Sequence, residues 1–280
     1  TTGELVAVGS RSEQKANKFC REFNVPHAYS NYEALLTDGN VQAVYIATPH
    51  PIHAEWTIRA AEAGKHILCE KPIGLNHGEA MAIIEAAILH GVFLMEGFMY
   101  RCHPQTVKLV ELLKNRVIGD VRVIRATYSF HGAYDPEHRW FNNHMGGGGI
   151  MDVGGYCTSM ARLVAGVANG KDFAEPIEVK GCGHLGETSI DEWAIASLHF
   201  PDDIVAQVAA GLQVKQDNTV QIFGSEGSIY IPTPFTPSRQ GGVTKIIVYG
   251  MDQQEPQEIL IEAEKGLFSI EADAFASYLD

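Results

Sequence analysis

No run of about eighteen consecutive apolar residues occurs in this 280-residue chain, so no segment of it reads as a membrane-spanning helix. No basic-then-apolar leader opens it, and secretion is not expected. Cysteine is sparse: the five thiols (Cys20, Cys69, Cys102, Cys157 and Cys182) are scattered, odd in number and without CxxC spacing. That argues against a disulfide framework or a zinc site and makes a reducing cytoplasm the expected setting. Basic residues are also few, 21 against 34 acidic, for a net charge of −13. Nucleic acids and membrane surfaces are polyanions and repel so acidic a chain, so neither is expected as a partner. An anionic cofactor stays possible where a few cations are placed locally. Among the 12 histidines, His50 with His53, and His131, His138 and His144, match no metal-ligand template, and no metal is expected.

Apolar residues make up 45% of the chain and charged residues 20%, values usual for a globular protein with a full core. The first hundred residues alternate strand and helix signals. Leu5 to Val8 reads as a strand, and Ser12 as the N-cap of a helix from Glu13 to Phe23. Val41 to Ala47 is a strand ended by Thr48-Pro49, and a helix from His53 to Ala63 stops at Gly64, a good helix terminator. His66 to Cys69 is a strand broken by Pro72. Asn76 caps a helix through Ala87, and Val92 to Met95 is a further strand. Strands separated by helices of this length need crossover connections, hence a parallel sheet covered on both faces. Ligands of such folds sit at the carboxyl ends of the strands. That rule singles out Gly9 to Ser12, Thr48 to His53, Glu70 to Pro72 and Glu96 to Arg101.

The pattern changes near Phe98. A helix from Pro104 to Lys114, a strand from Val121 to Phe130, four glycines (Gly146 to Gly149) and a helix from Asp152 to Val164 come first. Seven strand signals follow between Ile177 and Ile261, and Gly224-Ser225-Glu226-Gly227 reads as a hairpin turn. The expected fold is a Rossmann-type α/β domain over 1–98, followed by an α+β domain over 99–280 with a large, mostly antiparallel open sheet. A final helix over 268–280 is expected to return to the first domain, with Glu271 on its surface.

Two local signals carry chemistry. Glu70-Lys71-Pro72 ends a strand at the mouth of the ligand crevice, where an ammonium could lower the pKa of a reacting hydroxyl; the bland alternative is a surface lysine in a turn. Asp152 and Tyr156, four apart on a helix, share a face and could orient a hydroxyl and pass its proton. Equally, Asp152 could cap the helix while Tyr156 fills the core. The glycine run allows close backbone approach to a ligand or a flexible connection. Trp140 and Phe141 could stack on a sugar or be plain core.

Ala47-Thr48-Pro49 with His53, Glu70-Lys71-Pro72, Met95-Glu96-Gly97-Phe98-Met99-Tyr100-Arg101 and Gly146 to Tyr156 occur in one order and spacing. In these the whole chain resembles the glucose-fructose oxidoreductase/inositol dehydrogenase (Gfo/Idh/MocA) family, in particular its dihydrodiol dehydrogenase and NADP-dependent xylose dehydrogenase branch. The resemblance implies a dehydrogenase acting on a sugar, cyclic polyol or trans-dihydrodiol. Lys71 would lie near the nicotinamide, and Asp152 and Tyr156 match an Asp-x-x-x-His/Tyr element ending in the proton donor or acceptor. Thr48, Pro49, His50, His53, Glu70 and Arg101 would contact cofactor, and Arg101 with Asp152, Trp140 and Phe141 would contact substrate. It also implies subunit pairing through the open sheet of the second domain. A carboxylate after the second strand would bind an adenosine ribose, whereas here Ser10, Arg11 and Ser12 stand, which favours a 2′-phosphate and NADP over NAD. The G-x-G-x-x-G turn and its strand, expected about 20–30 residues upstream, are absent, and a shortened chain is the expected reason. A non-catalytic dinucleotide or sugar sensor is the alternative reading, which the joint presence of Lys71, Asp152 and Tyr156 disfavours.

Overall fold

A computed structural model describes residues 3–251 and 254–279. The chain forms two compact units, Thr1–Gly97 with Ala272–Asp280, and Phe98–Glu271.

In the first unit β1 (Ala7–Gly9) pairs in parallel with β2 (His27–Tyr29). A second, three-stranded parallel sheet has the order β3 (Ala43–Ile46), β4 (His66–Glu70), β5 (Leu94–Gly97). Between the strands run α1 (Glu13–Phe23), α2 (Tyr32–Thr37), α3 (His53–Glu62) and α4 (His77–His90). Local chemistry explains their limits. Ser12 accepts from the Lys15 amide and Asn76 from the Glu79 amide, satisfying donors that a helix start leaves open. Gly91 ends α4 at φ 64°, a left-handed conformation cheap for glycine. Val44, Ile46, Ile67, Cys69, Ala60 and Ala61 form the core of this unit, each large side chain contributing about 1.5–3 kcal/mol. Strand β2 and helix α2 have no counterpart in the sequence reading. Tyr278 and Phe275 stack on Phe93, at 5.2 and 5.5 Å between ring centres.

The second unit is built on one sheet of order β13-β12-β11-β10-β6-β9-β8-β7. Its strands are β6 (Val121–Ser129), β7 (Glu178–Leu185), β8 (Asp191–His199), β9 (Val205–Gly211), β10 (Val220–Gly224), β11 (Gly227–Ile231), β12 (Gly242–Gly250) and β13 (Gln257–Ala263). All its pairings are antiparallel except β6 with β9. Helices α5 (Pro104–Lys114) and α6 (Gly155–Ala168) cover one face, where Leu109, Leu113, Met160 and Val164 pack on Ile124, Ala126 and Ile222. On the other face Trp193, Ile195, Val205, Tyr249 and Leu260 are exposed. The architecture is the expected one of parallel Rossmann-like sheets plus a large, mostly antiparallel sheet. Helix α7 (Leu267–Ala276) follows β13, and here one expectation fails: Glu271 is only 2% exposed, not a surface residue.

Candidate active site

Parallel strands deliver their carboxyl ends to one edge of a sheet, and in the first unit the expected ligand residues follow β1, β3 and β4. The segment after β4 is fixed from three sides. The Tyr45 hydroxyl donates to Glu70 Oε1 at 2.5 Å, and the Lys71 amide donates to Glu70 Oε2 at 3.3 Å. The Ile73 amide donates to Glu96 Oε1 at 2.9 Å. His53 is fully buried at the start of α3, with Nδ1 2.8 Å from the Pro72 carbonyl oxygen and Nε2 2.7 Å from that of Thr48. One imidazole thus sits between the chain that follows β3 and the chain that follows β4, with one N–H to donate to one of the two carbonyl oxygens. The Lys71–Pro72 peptide is cis. The carboxylates of Glu70 and Glu96 therefore hold the segment that carries Lys71; this part of Glu96 was not read from the sequence, although the residue sits at a strand end where such a role is common. Gly97 closes the edge: a Cβ there would meet the Glu70 Cα at 3.1 Å and the Cys69 carbonyl oxygen at 3.2 Å.

Other residues of this unit stand at the strand ends where a ligand is expected. Thr48 Oγ1 is buried and, among the described residues, has no hydrogen-bond partner, a costly state that a bound polar group would relieve. His50 is buried, its ring 5.6 Å from that of His53. Ser12 Oγ accepts from the Lys15 amide as the cap of α1, and Ser10 Oγ accepts from the Ser12 amide at 3.2 Å, so each hydroxyl keeps its own proton to donate. Arg11 is exposed between them. An orphaned hydroxyl after β3 and a serine–arginine pair after β1 fit a dinucleotide.

In the second unit the remaining candidates gather around α6. The helix expected from Asp152 begins instead as a wide π-type turn, Ile150–Gly154, before α6 proper. Asp152, 6% exposed, lies in that turn and Tyr156 in α6, so the simple one-face argument for the pair needs correcting. The Asp152 carboxylate is paired with Arg139, whose Nη1 donates to Oδ1 at 3.0 Å. Tyr156 is buried in a ring cluster with Phe98, Tyr100, Tyr128 and Phe235, and its hydroxyl donates to Met99 Sδ at 3.2 Å. Tyr128 touches both parts of the site: its ring lies 5.4 Å from that of Tyr156, and its pKa is raised first by burial and then by the nearby Asp152 charge. Burial pushes the Tyr100 phenol up to about 12, and its hydroxyl donates to Ser159 Oγ at 2.9 Å. Arg101 Nη1 donates to the same oxygen at 3.4 Å, which docks the segment after Phe98 on α6.

Within the glycine run Gly147 and Gly148 pack tightly on protein: a Cβ on Gly147 would stand 2.5 Å from the Trp140 carbonyl oxygen, and one on Gly148 2.3 Å from Asp191 Oδ1. One further expectation changes. Phe141 is fully buried with Ile190 and Leu212, so it presents no surface to a substrate; the apolar cluster claims it. Trp140 is half-buried at the edge of that cluster, 4.7 Å from the ring of Phe130. Among the described residues no group of three His, Cys, Asp or Glu could hold a metal. Nor does any described helix have the length and apolarity to cross a membrane. Arg139 and Asp191 were not singled out as functional in the sequence, although Arg139 stands beside two residues that were.

Comparison with known proteins gives these geometries a context. Residues 1–98 match the oxidoreductase family with an NAD-binding Rossmann fold, and residues 106–230 match the GFO/IDH/MocA C-terminal domain. Trans-1,2-dihydrobenzene-1,2-diol dehydrogenase of Mus musculus is 32% identical over 257 residues, 92% of this chain and 73% of the relative. A 3-ketoreductase from Actinomadura kijaniata, solved with NADP and TDP-benzene, superposes with a TM-score of 0.82 at 27% identity, covering 98% of this chain and 81% of that one. An aldose-aldose oxidoreductase from Caulobacter crescentus, solved with glycerol, gives 0.85 at 25% identity, covering 99% and 81%. Two domain models in tandem, and a relative of 32% identity across most of both sequences, lead to one conclusion: the chain belongs to the GFO/IDH/MocA family of oxidoreductases.

Proposed function

We propose that this oxidoreductase moves a hydride between NADP(H) and the hydroxyl-bearing carbon of a sugar, cyclic polyol or trans-diol, with Lys71, Asp152 and Tyr156 serving the hydroxyl. The observation that carries the reading is the segment after β4, pinned by His53, Glu70 and Glu96 so that Lys71 stands on a fixed base. Rigid support of this kind is what a catalytic ammonium requires and a surface lysine does not.

A bound nicotinamide supplies the hydride acceptor or donor. This chain's residues manage the proton and the developing charge. When an alcohol is oxidised, the Tyr156 phenolate receives the hydroxyl proton as the C=O bond forms; in reduction the phenol returns it to the alkoxide oxygen. The Lys71 ammonium lowers the cost of negative charge on either oxygen. In the structure the Tyr156 hydroxyl donates to the Met99 thioether, a weaker acceptor than a substrate oxygen. Asp152, held by Arg139, would accept from a neighbouring substrate hydroxyl and orient it, and Arg101 and Trp140 would also contact substrate. The names of the relatives support the class: a trans-diol dehydrogenase in one, an aldose-aldose oxidoreductase in another, a 3-ketoreductase in a third. The A. kijaniata enzyme has also been solved with one lysine replaced by alanine and with one tyrosine replaced by phenylalanine.

For the cofactor, Ser10 and Arg11 would take the 2′-phosphate of NADP, and Thr48, Pro49 and His50 would line its nicotinamide half. The exposed apolar face of the second unit's sheet suits a second copy of the chain, giving a homodimer or a higher homo-oligomer, and the scattered thiols suit the cytoplasm. The test is a panel of aldoses and trans-dihydrodiols with NADP, read by absorbance of the reduced nicotinamide. Lys71→Ala and Tyr156→Phe should each cut kcat by about 10²–10⁴ while NADP still binds. Near-normal kcat in either variant on the preferred substrate sinks the assignment.

A further inference from the structure

Asp191 opens β8, and its half-buried carboxylate faces the glycine run ahead of α6. The Ile150 amide donates to Asp191 Oδ2 at 2.6 Å, and the Gly149 amide also donates to this carboxylate. The approach is close enough to exclude a side chain at Gly148, where a Cβ would stand 2.3 Å from Oδ1, and to crowd one at Gly149, where it would stand 3.2 Å from Oδ2. From this anchor a chain of bonds runs to the proposed catalytic groups. The Asp152 amide donates to the Gly148 carbonyl oxygen at 3.0 Å, and the Gly148 amide donates to that of Trp140 at 3.0 Å. Trp140 adjoins Arg139, whose guanidinium holds the Asp152 carboxylate. Both members of the ion pair are therefore hung on the segment that Asp191 grips, and Tyr156 follows one turn later.

We propose that Asp191 is a positioning residue, a buckle that fixes the wide turn Ile150–Gly154 on the sheet and so sets where Asp152 and Tyr156 stand, without itself meeting substrate. The proposal rests on the roles assigned to those two residues above. A carboxylate suits the task because, when ionised, it is acceptor-only; burial raises its pKa, and the amides of Ile150 and Gly149 work against that rise. A neutral amide of the same shape keeps one acceptor oxygen and loses the charge, so it does part of the work. Misplacement of the order of 1 Å at a reacting group costs about a hundredfold in rate, so a slackened turn should show in turnover before it shows in cofactor binding.

The experiment compares Asp191→Ala and Asp191→Asn with the parent enzyme in kcat, KM, NADP affinity and amide hydrogen exchange. Asp191→Ala should lower kcat about tenfold or more per folded molecule, with NADP affinity within about twofold. Asp191→Asn should recover part of that loss. Exchange at Gly149 to Asp152 should quicken in both variants while the rest of the second unit stays protected, a readout that survives even if Asp191→Ala folds poorly. A kcat within about twofold of the parent in Asp191→Ala, or unchanged exchange in this segment, overturns the proposal. Tyr156→Phe run alongside separates the two readings. If it stays active, the site assignment fails; if it is dead while Asp191→Ala is fully active, only the buckle fails.

Discussion

Replacing His53 by alanine tests the support beneath Lys71 most severely. The ring is fully buried and faces two carbonyl oxygens, at 2.8 Å to Pro72 and 2.7 Å to Thr48. One donated bond is worth about 1 kcal/mol net, and the abandoned carbonyls lose a buried partner. Emptying the ring's volume in a site that relaxes only in part costs about 2 kcal/mol more. The expected loss is therefore about 3 kcal/mol of stability in the first unit. Urea unfolding would be followed through Trp56, which lies in α3 three residues from the change, after Trp140→Phe and Trp193→Phe leave it as the only tryptophan. The midpoint should fall, and kcat at saturating substrate should drop about tenfold because Lys71 loses one of its three supports. A loss below about 1 kcal/mol with unchanged kcat would show that the imidazole does not hold the two strand ends, and the argument for a preorganised lysine would go with it.

Arg11→Ala should weaken NADP binding by about tenfold or more, the worth of one charge-assisted pair, and leave NAD binding nearly unchanged; equal losses for both cofactors would refute a 2′-phosphate site. Gly148→Ala should destabilise the second unit by at least about 2 kcal/mol, because φ is 118° there and a Cβ would press on Asp191 Oδ1, and circular dichroism melts would show it. Burial pushes the thiol of Cys69 from its ordinary value of 9.0 up to about 12, so the folded form keeps a proton that the unfolded form releases. Its contribution to stability is thus complete below about pH 9 and is lost as the pH rises towards 12. At pH near 8 a thiol reagent should label buried Cys69 only after unfolding; labelling of the folded protein at the rate of a free thiol would contradict the burial.

Much of the fold was legible because periodicity and caps agree. Ser12, Asn76 with Gly91, and Pro104 each mark a helix end that the structure keeps. Strand β2, the three residues His-Ala-Tyr, is too short for a period and has no β-branched side chain, while α2 is a six-residue helix with little amphipathic signal. The wide turn at Ile150–Gly154 escaped because glycines hide it, and an i, i+4 rule assumes an α-helix. Phe141 and Glu271 show the limit of reading burial from residue type: an aromatic beside a proposed pocket went to the core, and a carboxylate late in the chain did as well. Lys71, Asp152 and Tyr156 were visible as motifs. Their supports were not, since His53 reaches Pro72 across 19 positions and Asp191 reaches Ile150 across 41, pairings that only the folded chain creates.

The central claim is that Lys71 and Tyr156 work on one and the same hydroxyl, and a double-mutant cycle measures it directly. Single-turnover hydride transfer would be timed in Lys71→Ala, Tyr156→Phe and the double variant. Groups acting as a unit should be strongly non-additive, the double variant being scarcely slower than the worse single one. Losses that simply multiply would mean that the two residues act independently, and the account would be wrong at its centre.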